Sequence, residues 1–211
     1  MKTAIDLTRP PEEIREELHN RVMTVMGASL RLSSCSQQAS TFMHMIAAMI
    51  AEDGVGDDRI EPVVAAIRSG AEAALASGAD FPMLNTPWKD AGEAYAGLCA
   101  HPQAKPILDG FREACESENH KPENFPDLHL ALLGLCCCVA AAATAGDLIS
   151  GSGLLKPESA DAFDKVTEHT LSHIADKLPG LVELARKAEA GFRKNLGLEE
   201  DGACEPDATP A

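Results

Sequence analysis

Residues 128 to 146, LHLALLGLCCCVAAAATAG, carry no formal charge, and the only imidazole among them is that of His129. A helix that is apolar all round has no face for water, so it is enclosed either by other helices or by lipid. Nineteen residues rising 1.5 Å each make about 28 Å, just long enough for a hydrocarbon core. Composition argues for protein neighbours. The second half is mostly Ala, Gly, Cys and Thr, the flanks are Asp127 and Asp147 rather than Lys or Arg, and no aromatic belt is present. The reading is an all-α protein, a compact bundle of about eight helices around a central apolar helix (128–146), with small residues letting the neighbours come close.

Working outward, a chain of 211 residues is long enough to bury about 70 % of its extended surface in one core. We expect one helical domain over 1–197 and an acidic, disordered tail over 198–211, LEEDGACEPDATPA without its flanking glycine, where five acids meet no base. Aromatic residues make up 4 % of the chain and few stretches alternate with period two, which disfavours sheets. The net charge of −15 opposes phosphate backbones and anionic lipid, both of which need clustered Lys and Arg. The expectation is therefore no nucleic acid, no membrane, and a soluble protein. An acidic surface could also imitate nucleic acid toward a basic partner. Seven cysteines, three of them contiguous, without a signal peptide at the start, point to free thiols in a reducing cytoplasm.

Around the central segment the helical signals recur. Pro10 and Pro11, followed by Glu12, Glu13, Glu16 and Glu17, open a first helix with Ile14, Leu18, Val22, Val25 and Leu30 near a 3.6-residue spacing. The pattern pauses at Arg31–Cys35, where Ser34 and Gln37 could cap a second helix running to Asp53; one kinked helix is the alternative. A third helix carries Ile60, Val63, Ile67, Ala71 and Leu75. A fourth starts at Thr86-Pro87, and a fifth spans roughly Ala104 to Ser117. Asn124 is placed to cap the central helix and Gly146 to close it, leaving the Gly- and Ser-rich 147–156 as a loop or lid. Pro157 opens a seventh helix, Pro179-Gly180 separates it from an eighth with Leu181, Leu184, Ala188 and Phe192, and Gly197 ends the last.

Few residues suggest chemistry. Cys136, Cys137 and Cys138 point 100° apart on a helix, so they cannot converge on one ion, and in a run of Ala and Leu they read as small hydrophobes. His169 and His173 are four apart with Asp176 three further on, a spacing that can hold a metal. On a helical wheel with Val166 at zero, the apolar stripe centres near 60° and these three fall at about −20° to −80°. They sit on a polar flank, whose ordinary role is solvation. Paired carboxylates such as Glu13 with Glu16, Glu113 with Glu116 and Asp161 with Asp164 arise by chance among 33 acids. Met23, Met26, Met43, Met45 and Met49 lie within 27 residues and could form an adaptable partner surface, bind Cu(I), or fill a malleable core.

No phosphate loop, nucleophile elbow or CxxC pair is present. The function expected is non-catalytic, through protein–protein contacts including self-association, with those five methionines as the partner surface. The alternative is a small-molecule or metal-binding helical protein, with or without turnover. Its site would be His169, His173 and Asp176, or a cavity beside Cys136–Cys138. No cofactor is named by the sequence.

Overall fold

The computed structural model describes residues 5–52, 60–77, 89–102, 104–114, 124–172 and 174–198. Among them are seven α-helices: α1 (Pro11–Glu52), α2 (Ile60–Ser77), α3 (Ala91–Cys99), α4 (Lys105–Ala114), α5 (Pro126–Gly151), α6 (Pro157–Ser172) and α7 (Leu178–Asn195), with a 3₁₀ turn over Ala175–Lys177. They pack as a bundle around α5. Its Ala131–Ala140 are buried without interruption, and 72 % of its most apolar window lies inside the protein. By length and composition this helix could cross a membrane; here its cover is supplied by α1, α2, α3 and α6.

The two helices expected before residue 53 are one. The segment RLSSCSQQ continues the helix, and side chains in and beside it bond backward along it instead of capping a new one. Ser36 Oγ donates to the Leu32 carbonyl at 2.8 Å, Thr41 Oγ1 to that of Gln37 at 3.1 Å, and Gln38 Nε2 to Ser34 Oγ at 3.3 Å. α1 and α5 run antiparallel, since Phe42 meets Gly134 near one end and Arg21 reaches the Ser152 carbonyl at the other. At 42 and 26 residues they are about 63 and 39 Å long. α1 therefore overhangs its main support.

Other ends differ from the expected ones for local reasons. Gly146 is buried inside α5, which continues to Gly151, so half of the expected loop is helix. The left-handed glycine stands later, Gly153 at φ 75°. Phe125, not Asn124, is the N-cap, and Pro126 fills the first turn. Pro179-Gly180 lies inside the first turn of α7 rather than between helices. α3 is capped by Asp90, whose side chain accepts from Glu93 N at 2.8 Å while Glu93 Oε2 accepts from Lys89 N at 3.0 Å. Thr86-Pro87 lies outside the described residues, as does the tail from 199. Gly197 ends α7 as expected. At φ 67° it lets Leu198 N reach the Arg193 carbonyl (2.9 Å) and its own N–H reach that of Lys194 (3.1 Å), a Schellman closure.

Glycines set the closest approaches. A Cβ on Gly134 would stand 2.5–2.9 Å from the Phe42 ring, and one on Gly70 would fall on the edge of the Phe111 ring. Phe111 and Tyr95 flank His129, with ring centroids 5.9 and 6.5 Å away, joining α4 and α3 to α5. A smaller cluster of Ala28, Ala145 and Ile149, with Val25, Leu32, Leu155 and Phe163 against it, seats the middle of α1 on α5 and α6.

Candidate functional site

The N-terminal half of α1 carries the surface that stands out. Leu18, Val22, Met23, Met26 and Leu30 are 39–72 % exposed, and three of them, Leu18, Val22 and Leu30, belong to the helically spaced series expected here. The geometry explains their exposure. A step of four residues turns 400°, so the series Ile14, Leu18, Val22, Met26, Leu30 advances about 40° per step and sweeps about 160° round the helix. Its first member is half-buried and its last is on the far side. The true contact face follows Val25, Ala28 and Leu32, which track the axis of α5. What is left is a ridge of apolar side chains that the described residues cover only in part.

A second surface of the same kind lies on α7. Leu178 and Val182 are buried, but beyond Val182 no described residue is, and Leu184, Phe192 and Leu196 are 55–64 % exposed. Neither surface covers the other. Their charges differ in sign: residues 12–17 hold four glutamates and Arg15, whereas residues 186–194 hold Arg186, Lys187, Arg193, Lys194 and Glu189. Glu17 is already paired with Arg9 and Arg21. Lys187 pairs with Glu183 at 3.2 Å, and Arg193 with Glu189 at 4.0 Å.

The five methionines are divided by this arrangement. Met23, Met26 and Met45 are exposed, Met49 is half-buried, and Met43 is in the core. They do not form one face, and only Met23 and Met26 belong to the ridge.

Of the three expected metal ligands, only Asp176 has a described side chain. Asp176 lies in the 3₁₀ turn beyond the end of α6 and is ion-paired with Arg68 of α2. His173 and the side chain of His169 lie outside the described residues. Among the described residues no group of three His, Cys, Asp or Glu side chains is arranged to hold a metal. Glu13 and Glu16 line an open groove of about 590 Å³ together with Arg9, Arg21 and Ser152. There Arg21 Nη1 lies 3.3 Å from the Ser152 carbonyl, a cation at the negative end of α5.

The three adjacent thiols behave as packing groups. All are buried and free, and they point to different neighbours: Cys136 Sγ toward the Ile67 carbonyl of α2 (4.0 Å), Cys138 Sγ toward Gln38 Oε1 of α1 (3.7 Å). Burial pushes Cys136 well above the ordinary thiol value, Cys137 up to about 12 and Cys138 up to about 11. At neutral pH they are neutral thiols, unsuited to nucleophilic attack.

Cys138 also borders a cavity of about 240 Å³ between α1, α5 and the start of α7, with Cys35 in the same wall. Sequence patterning could name neither Lys177 nor Leu181 as its neighbours, because they reach it only through the docking of α7. Comparison with protein-family models, with curated proteins and with solved structures finds no match for this chain.

Proposed function

We propose that this protein works through protein contacts without turnover, and that its first partner is a second copy of itself. The observation that carries the reading is the exposed ridge Leu18–Val22–Met26–Leu30 on α1, beside the face that Val25, Ala28 and Leu32 bury. A contiguous apolar ridge left exposed on a folded helix marks an interaction surface.

The occupant follows from charge. The first turns of α1 are acidic and its ridge apolar; the last turns of α7 are basic and its stripe apolar. The α7 end of one copy complements the α1 ridge of another. A two-fold arrangement makes this contact twice, doubling the area buried by two short helix faces. Interdigitating i, i+4 ridges favour a crossing near −50°.

Sedimentation velocity over a range of concentrations tests this. A reversible dimer is expected, with Met26→Glu and Phe192→Glu each weakening it at least about tenfold, as for anchors of an interface. Glu16→Lys and Lys194→Glu should each weaken it and together restore it. A strict monomer at the highest concentration overturns self-association, as does a dimer indifferent to Met26→Glu and Phe192→Glu.

A further inference from the structure

We infer that the cavity between α1, α5 and α7 binds a small aliphatic carboxylate, its chain against the helices and its head at Lys177. The hollow of about 240 Å³ has an apolar wall made of Ala39, Met43, Val139, Ala142, Ile174 and Leu181. Small-molecule sites are apolar hollows with a few polar groups that fix orientation, and most are larger than this one. A short chain therefore fits better than a ring system. Ala39 and Ala142 leave the space that a larger side chain would fill.

The polar groups are gathered on Ser36, Ser40, His44 and Lys177. His44 Nδ1 lies 2.7 Å from the Ser40 carbonyl, so that nitrogen donates and the ring is held in place. Charge selects the head group. The chain has 33 acidic against 18 basic residues, yet no Asp or Glu lines this cavity and Lys177 does. An anion meets one cation there and no carboxylate. Cys35 and Cys138 complete the wall, and burial pushes the Cys138 thiol up to about 11, so that thiol adds no charge to the wall at neutral pH.

Titration calorimetry with butanoate, hexanoate and octanoate, using octanol and octylammonium as controls, tests this site on the full chain. Affinity should rise about fourfold per added methylene, the increment expected for burying that group, with octanoate bound more tightly than octanol and octylammonium weakest. Lys177→Ala, an exposed position, should weaken octanoate and leave octanol unchanged. Ala142→Phe should abolish binding of both, with circular dichroism checking its fold. Bound octanoate should also slow alkylation of Cys35. No saturable octanoate binding, equal binding of octanoate and octylammonium, or an octanoate affinity unchanged by Lys177→Ala overturns the proposal.

Discussion

Replacing Gly70 by Ala tests the packing of this bundle most directly. In the middle of a helix Ala is favoured over Gly by about 1 kcal/mol, so the substitution stabilises wherever space allows. At Gly70 it does not. A Cβ there would overlap the Phe111 ring edge, standing 2.6 Å from Cζ and 2.9 Å from Cys136 Sγ. Phe111 and Cys136 are both fully buried, so neither can swing into solvent. Overpacking of this kind costs about 1–3 kcal/mol, and a rigid ring on one side with a central helix on the other places it at the upper end. Subtracting the helical gain leaves a net loss of about 2 kcal/mol. Gly27 supplies the internal control, being exposed on α1 with nothing within 4 Å of an added Cβ; there the same change should stabilise by about 1 kcal/mol. Urea unfolding followed by far-ultraviolet circular dichroism measures both, with equal slopes confirming that stability alone has changed. In a Phe111→Leu background the Gly70→Ala penalty should shrink by at least about 1 kcal/mol, as for residues in contact. Gly70→Ala matching Gly27→Ala in sign would refute the reasoning.

Four further outcomes are expected. Asp90→Ala removes the side-chain acceptor of the Glu93 N–H and should cost about 1 kcal/mol in urea unfolding, whereas Asp90→Asn should cost little. Timed alkylation read by mass spectrometry should show Cys138, held at about 11, reacting about a hundredfold more slowly at pH 8 than an ordinary thiol, with a rate that climbs about tenfold per pH unit. Because their folded values are raised, the stabilisation from the neutral Cys137 and Cys138 thiols is complete below about pH 9 and declines as pH rises toward 11–12; replacing them by apolar residues of similar size should therefore move alkaline unfolding to higher pH. Arg68→Ala breaks an ion pair to Asp176 whose two side chains are about half exposed, so it should change stability by no more than about 1 kcal/mol and less in high salt.

Local pattern was enough for the helical class and for the enclosed segment. An uncharged run of Ala, Leu and Cys has no solvent face whatever its neighbours are, and Gly197 ends α7 through backbone geometry confined to six residues. Periodicity also placed most helices. Of the series expected on the first helix, Val25 lies on the contact face while Leu18, Val22 and Leu30 are exposed, because each step of four residues drifts about 40° from the face that packs. Ser34 and Gln37 resembled a cap since the same hydroxyls can serve either a new helix or the carbonyls of the one they are in. Tertiary packing favours one helix: Val25, Ala28 and Leu32 before the segment and Ala39 and Met43 after it are all seated on their neighbours. Likewise the Phe111 seat on Gly70, the pairing of Asp176 with Arg68 and the hollow beside Cys138 each join residues more than 35 positions apart. Short-range propensities set which segments coil; which faces are covered, and which side chains share a space, depends on how those coils dock, and that is a property of the whole chain.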